Sequence, residues 1–435
     1  MARILRRWTF VYRLLFGEEP SEAARHFLKN CFYIFWSSGL ALIFSFLFNT
    51  LAGRFLGPTI YGQFALIQSV AMLLYLPMVL GFSTAMVKYN AESDDLERRS
   101  EIISTTYLII LFLIIFFSLI FIILAKLMAG IFFIPVGQFI LAVVFAGLFV
   151  FYSLTTDTLR GLHLIKQYAL LQPLYGFLLL SVFLLLFLFL SPSFHLLLFP
   201  LYSAYILCGI GALFFTNRVH LRFKLSLSWA KRLARYALLA LLGGVAFVLS
   251  SNFDKILLNR YLSLTDVGVY KAYYFASINI AIIAFSSLNI IFFPTASRHL
   301  NKIALWKKIN RLTPYFFIGG GFIFFALQWF ILKLFGRQYP IHVGLMILFT
   351  LASLVVLVNS CYVWLVASEG RRGIKITAFS ETAAAGANII LNLILIPRFG
   401  IIGAVLSCIG SYGLFLFLVL WRGGRFIKMS LPSDV

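Results

Sequence analysis

The sequence predicts an all-α integral membrane protein with about twelve transmembrane helices in two six-helix lobes, related by a pseudo-twofold along the membrane normal. Three observations carry this. Of the 435 residues 62% are hydrophobic and 11% charged, with a mean hydropathy of +0.98. That is far more apolar surface than a soluble chain of this size can hide. Apolar runs of about 20 residues, the length a bilayer-crossing helix needs, recur from end to end. The chain also repeats itself: Arg54-Phe55-Leu56, Thr59, Gly62 and Phe64 return as Arg260-Tyr261-Leu262, Thr265, Gly268 and Tyr270. Gly161, Ile165 and Lys166 return as Gly370, Ile374 and Lys375, and Pro192/Phe194 as Pro397/Phe399. No strand alternation is present, so an outer-membrane barrel is not expected.

Taken in order, the chain opens on Arg3, Arg6, Arg7, Arg13, Arg25 and Lys29. Ile4, Trp8, Val11 and Leu15 share one helical face against these bases, which predicts a short helix on the inner membrane surface. The segment has neither the apolar core nor the cleavage site of a signal peptide. Residues 1–30 therefore read as a basic cytoplasmic segment, 31–217 as the N-lobe, 218–234 as a basic linker, 235–421 as the C-lobe and 422–435 as a cytoplasmic tail. N-lobe spans are expected at 31–53, 62–87, 102–125, 137–158, 167–190 and 194–217. C-lobe spans are expected at 235–257, 267–292, 312–335, 342–367, 374–396 and 401–421. Six spans per lobe is even, so both copies enter the membrane in one direction and the repeat is parallel, not inverted.

The net charge of +22 suggests nucleic acid until its distribution is considered. Beyond the N-terminal bases, clusters stand at Arg98/Arg99, from Arg218 to Arg235, from Arg298 to Arg311, from Arg371 to Lys375 and from Arg422 to Lys428. With twelve spans, roughly 28 of the Lys and Arg fall on one side, which the positive-inside rule makes the cytoplasm. Both termini then lie there, in a cell (inner or plasma) membrane. The basic excess reports topology and contact with anionic membrane lipid, and no nucleic acid is expected as partner.

The loops exclude most chemistry. External loops are too short for the domain of carboxylates and histidines that a membrane glycosyltransferase or polymerase needs. The six histidines show no ligand spacing. Cys31, Cys208, Cys361 and Cys408 have no CxxC spacing and read as packing residues. No Walker loop is present. No cofactor, metal site or catalytic residue is expected, and the chain does not read as an enzyme.

Polar side chains within the spans are costly unless they face protein or water. Ser38, Ser45 and Asn49 share one face of the first span, and Ser251, the repeat mate of Ser45, sits with Ser250, Asn252 and Asp254 in the seventh. The second span carries Gln63, Gln68 and Ser69 and closes near Lys88; the eighth opens with Lys271 and continues through Ser277 and Asn279. Spans 1, 2, 7 and 8 are thus the expected walls of a polar cavity between lobes, although interhelical hydrogen bonding accounts for any single serine. Arg54, Lys255, Arg260 and Lys271 gather near the outer span ends, and Lys88, Asp157 and Arg160 near the inner ends. Asp254 pairing with Lys271 or Arg54 is one expected external gate, with Asp157 and Arg160 as inner-gate candidates. Glu381 lies about two turns inside its span and shares a face with Asn388 and Asn392. Asp254, Glu381, Asn388 and Asn392 are the candidates for a coupling ion or proton, the alternative for Glu381 being a carboxylate satisfied by a neighbouring Lys or Arg, or kept protonated.

The run from Arg54 through Gly57-Pro58-Thr59-Ile60-Tyr61-Gly62-Gln63-Phe64, with Leu80-Gly81-Phe82 and Val87-Lys88-Tyr89, resembles the opening of bacterial polysaccharide flippases of the Wzx kind. These belong to the multidrug/oligosaccharidyl-lipid/polysaccharide (MOP) exporter superfamily. Asp254 to Leu258, Val267 to Ala272, Phe293-Pro294 and the segment from Asn388 to Ala404 are similar as well, so the resemblance covers about 30–421. It implies a two-lobed fold with a cationic cavity lined by spans 1, 2, 7 and 8. It implies a lipid-linked oligosaccharide, carried on undecaprenyl pyrophosphate, turned from the cytoplasmic to the external leaflet by alternating access. Other membrane proteins of polysaccharide assembly are implied partners. Arg54, Lys88, Arg260 and Lys271 would hold the pyrophosphate or acidic sugars, with Ser45, Asn49, Gln68, Asn252 and Asn279 lining the path. The lipid II branch carries two further C-terminal helices, so lipid II is not the expected substrate. The competing readings are a multidrug/cation antiporter of the MATE branch, against which the excess of Lys and Arg speaks, and a polytopic polysaccharide polymerase or ligase.

Overall fold

The computed structural model describes residues 22–216, 225–298 and 302–429. The surface helix expected within 1–21 lies outside them, as does the 218–224 part of the linker expected at 218–234. Long apolar runs without strand-forming alternation can satisfy their backbone in lipid only as helices, and every described element is helical. The elements are α1 (Glu22–Val79), α2 (Phe82–Ala91), α3 (Leu96–Ile123), α4 (Ala125–Phe132), α5 (Val136–Gly161), α6 (Ile165–Phe189) and α7 (His195–Thr216). After the midpoint come α8 (Leu227–Tyr261), α9 (Leu264–Tyr274), a π-helical turn (Phe275–Asn279), α10 (Ile280–Arg298) and α11 (Lys302–Phe335). The chain closes with α12 (Val343–Ala367), α13 (Arg371–Phe399), α14 (Ile401–Leu418), a second π-turn (Val419–Gly423) and α15 (Gly424–Met429).

Ten described helices are long and apolar enough to cross a bilayer, or eleven if the bent pair Leu227–Leu238 and Gly243–Tyr261 is one span. One of them, Trp36–Val79, contains two crossings. Gly57 breaks it at φ 76°, ψ 170°, a conformation open to glycine alone, and Pro58 then starts the second arm where its missing N–H costs nothing. The Phe48 and Phe64 rings are 6.4 Å apart, whereas a straight helix would separate these residues by about 24 Å. The arms therefore fold back on each other. The expected spans 31–53 and 62–87 are this hairpin, and the second continues past a left-handed turn at Leu80-Gly81 into α2. Counted this way, the crossings number twelve among the described residues.

The expected break near 126–137 is the turn between α4 and α5, where Phe133 adopts φ 56° and Pro135 caps α5. The segment read as a linker is helical over its described part. Leu227–Leu238 runs at 51° to Gly243–Tyr261 and packs on the N-lobe: Trp229 contacts Tyr89, and the Ser226 N–H donates to Thr105 Oγ1 at 3.1 Å. The N-lobe core gathers around Phe139, Phe145, Phe183 and Ile67, all 2% exposed or less. At the end of the bundle opposite Gly57, each lobe holds the matching carbonyl with a base. Arg99 Nε donates to the Asn90 carbonyl at 3.2 Å, and Lys302 Nζ to that of Ala296.

Candidate functional site

Two repeated hairpins, one per lobe, meet back to back. The N-lobe turn is made by Gly57-Pro58. The C-lobe turn, between α8 and α9, is made instead by a capping box: Ser263 Oγ accepts from the Asp266 N–H at 3.2 Å while the Ser263 N–H donates to Asp266 Oδ2 at 3.1 Å. Both turns leave the following arm starting in register, and this brings the repeat mates together.

The Oγ1 atoms of Thr59 and Thr265 are 2.8 Å apart, 206 positions from one another. A methyl on Gly62 would lie 1.9 Å from the Leu264 carbonyl oxygen, and one on Gly268 would lie 1.9 Å from that of Pro58. Only glycine lets the two backbones approach this closely. On the flanks, Tyr339 Oη donates to the Gly53 carbonyl at 3.2 Å, and Asn259 Nδ2 donates to the Phe133 carbonyl at 2.8 Å. Gly53 and Asn259, like Phe133 and Tyr339, stand at the same offset as Thr59 and Thr265. When one residue touches another and their mates touch in return, the interface has twofold logic. The seam is therefore pseudo-symmetric about an axis passing between Gly62 and Gly268.

Symmetry holds inside the hairpins too. Asn49 Nδ2 donates to the Ser45 carbonyl at 2.8 Å, and its mate Lys255 donates through Nζ to the Ser251 carbonyl at 2.6 Å. Asn49 also accepts from Tyr61 Oη at 2.9 Å. Beyond this the lobes diverge. Lys255 pairs with Asp254 at 3.0 Å and lies over Tyr274, while Tyr270 Oη donates to the other oxygen of Asp254 at 2.5 Å. The expected partner of Asp254, Lys271 or Arg54, is not the observed one.

Lys271 instead crosses the seam. Its Nζ donates to Gln68 Oε1 at 2.8 Å and lies 4.3 Å above the Phe64 ring and 5.0 Å above Tyr61, all three in the N-lobe. Among the described residues no carboxylate is paired with it. Aromatic rings continue beside it, with Phe46 stacked on Phe275 across the lobes at 6.2 Å and Tyr61 against Phe335 at 5.8 Å.

The remaining candidates fall into three places. Arg54 and Arg260 are exposed at the seam's rim, Arg260 lying 4.7 Å over Phe133 of the opposite lobe. Asn252 turns its amide back to the Val248 carbonyl at 2.9 Å, and Asn279 closes the π-turn that follows α9. At the far end Lys88 lies over Tyr89 and Tyr236 and 3.8 Å from Glu92, while Asp157 pairs with Arg160 at 2.9 Å on α5. Glu381, Asn388 and Asn392 belong to the C-lobe interior. Glu381 borders a cavity of about 40 Å³ with Ser250, Ser411 and Tyr412; Asn388 donates to Ser411 Oγ at 3.1 Å and Asn392 to Asn388 Oδ1 at 2.9 Å.

The sequence places Lys255 only among the outer charges and Tyr270 only within the repeat, and gives neither a role in the site. Comparing the hairpins position by position supplies the missing signal, because Lys255 stands where the N-lobe has Asn49 and Tyr270 where it has Phe64.

The family model for polysaccharide biosynthesis proteins matches residues 27–300. No curated protein matches the chain by sequence. Among solved structures, an inward-facing multidrug resistance MATE family transporter of the MOP superfamily shares 13% identity at a TM-score of 0.66, covering 90% of this chain and 96% of that one. The outward-facing conformation of such a transporter gives 14% and 0.61, over 92% and 96%. The lipid II flippase MurJ, in its inward closed conformation, gives 12% and 0.62, over 92% and 90%. These likenesses show the fold, a two-lobed bundle of membrane-spanning helices. The matched segment spans more than half of the sequence, and the chain belongs to the polysaccharide biosynthesis protein family.

Proposed function

We propose that this protein is a flippase that turns an oligosaccharide linked to undecaprenyl pyrophosphate from the cytoplasmic to the external leaflet of the cell membrane by alternating access. The observation that carries the reading is Lys271, a partly buried cation between the lobes with no carboxylate partner among the described residues, directly below a seam of few polar contacts. Family membership supplies the polysaccharide context, and the MOP fold supplies two lobes that rock about a site between them. The positive-inside rule orients the molecule. The end bearing Lys88, Arg98, Arg99 and Arg232 faces the cytoplasm, and the Gly57 end faces out.

The described state, with the seam joined, is closed to the outside. The anionic headgroup enters from the Lys88 end and climbs to Lys271; the lobes then rock, the seam parts and the headgroup leaves outward. With a negative interior, outward movement of each negative charge is favoured by ~2.3 kcal/mol per 100 mV. A coupling proton or cation, if used, is assigned to Glu381 with Asn388 and Asn392, because Asp254 is already committed to Lys255 and Tyr270.

Purified protein in vesicles carrying a fluorescent undecaprenyl-pyrophosphate oligosaccharide tests this directly. Wild-type protein should expose the label to an external quencher, and Lys271→Ala should not, with equal protein incorporated. In cells, Lys271→Ala and Arg54→Ala should remove surface glycan while expression is kept. Wild-type glycan from both variants would remove the cavity assignment. Dye efflux with no effect on glycan would favour the multidrug antiporter.

A further inference from the structure

The two buried lysines of the C-lobe hairpin are held in opposite ways. Lys255 has a carboxylate at 3.0 Å and a carbonyl at 2.6 Å, all within its own lobe. Lys271 has one amide oxygen at 2.8 Å and two ring faces, all in the other lobe. An ammonium carries three donors, and an anion adds a coulombic attraction that the neutral Gln68 amide does not supply. Of the two, Lys271 thus has more to gain from an incoming anion, and what it would surrender is a tie between lobes.

Its position sets the consequence. Lys271 is one helical turn below Gly268, and Gln68 is less than two turns below Gly62, on the side away from the Gly57 rim. Here the twofold is broken. The repeat mate of Lys271 is Ala65, and that of Gln68 is Tyr274, so the contact occurs once and not twice. The repeated seam contacts above it (Thr59 with Thr265, and the flanking carbonyl bonds) are uncharged and insensitive to an anion. The contact of Lys271 with Gln68 is both unrepeated and charged, as is that of Arg260 with Phe133 at the rim.

We propose that Lys271 is an anion-released latch. Its ammonium ties the closed seam to Gln68, Tyr61 and Phe64 of the N-lobe, and a diphosphate arriving from the cytoplasmic end claims it and frees the seam to part. This rests on the flippase reading and adds to it what triggers the outward step. By linkage, a diphosphate that favours the parted seam is itself bound more tightly when the seam is parted.

The experiment uses the full chain in membrane vesicles, with its four native cysteines replaced by alanine and Thr59→Cys and Thr265→Cys introduced. A protease site within 217–224 makes the bond readable, since only a cross-linked chain stays full length after cutting. Inorganic pyrophosphate and farnesyl diphosphate are the probes. Each should lower the cross-linking rate by about fivefold or more, the range of ordinary site-to-site coupling. A response to both shows that the diphosphate group suffices; a response to the farnesyl compound alone shows that a lipid tail is required. Gln68→Leu should lower cross-linking without any probe. Lys271→Gln, which keeps an amide contact to Gln68, should cross-link normally and ignore both probes, and Lys271→Arg should regain the response.

Full response in Lys271→Gln, or no response in the parent, overturns the latch. Surface glycan in a strain lacking the native chain separates this from the flippase reading. Glycan restored by the parent under reducing conditions keeps that reading when the latch fails. Glycan indifferent to loss of the chain removes both.

Discussion

At one pair of positions in the N-lobe hairpin, Phe48 and Phe64 meet edge to face. At the same positions of the C-lobe hairpin, Asp254 and Tyr270 share a 2.5 Å hydrogen bond, with Lys255 completing an ion pair. The backbones match closely enough that Thr59 finds Thr265 and Gly62 finds Gly268, yet at these positions one hairpin is apolar and the other charged. What both copies keep is whatever builds the shared path: the carbonyl held at Ser45 and Ser251, the glycine at the axis, the flanking carbonyl contacts. What only one copy carries is buried charge. On the proposed flippase reading, the two lobes need matching surfaces to close, but a single anionic headgroup needs its cation on one side only. The N-lobe hairpin then acts as the wall against which the C-lobe hairpin works.

The largest expected effect tests the matched part. Gly62→Leu and Gly268→Leu each place a side chain where 1.9 Å separates a Cβ from a backbone carbonyl, so neither seam can close. Both should reduce surface glycan to background, and by the same amount. A clear inequality between them would break the twofold comparison.

Next comes the unmatched charge. Asp254→Ala leaves Lys255 buried without its counter-ion and should cost about 3–5 kcal/mol of stability in detergent. Replacing both (Asp254→Leu with Lys255→Met) should recover most of that loss, since buried pairs exchanged for apolar groups of similar volume are often neutral or better. A stable double variant that still lacks flipping would give the pair a role in transport; full flipping would leave it structural.

A smaller effect is expected from Thr59→Val with Thr265→Val. One exposed hydrogen bond is lost, worth about 0.5–1.5 kcal/mol, and glycan should fall only slightly. Oxidative cross-linking of the double cysteine variant should by contrast stop transport reversibly, because a disulfide holds Cβ atoms within about 4.5 Å. The smallest test compares the flanks. Tyr339→Phe and Asn259→Ala each remove one cross-lobe bond to a carbonyl and should shift unfolding by similar, small amounts. If one alone matters, the flanks are not equivalent.

Much of the architecture was legible along the chain. The repeat of Arg54 to Phe64 at Arg260 to Tyr270, the spans and their parity all rest on composition and spacing, which lipid enforces strictly. The pairing of Asp254 was not legible. Adjacent residues on a helix do not normally face each other, so a partner one turn away or in another span was the natural expectation; the long stem of Lys255 curls back instead to its neighbour. Placing Gln68 under Lys271 likewise required both lobes at once. Glu381, Asn388 and Asn392 share a face as their spacing implies, but that face is turned into the C-lobe, a choice made by α14 packing on α13 rather than by the stripe.

By itself the sequence determined the helices, their number and the fact of duplication, because burial in hydrocarbon punishes every departure from those patterns locally. Only the tertiary structure decided which repeat mates touch, which lysine is neutralised and which is left facing the opposite lobe. Those outcomes depend on how two hairpins approach within a few ångströms of one another, and periodicity along either one carries no record of that distance.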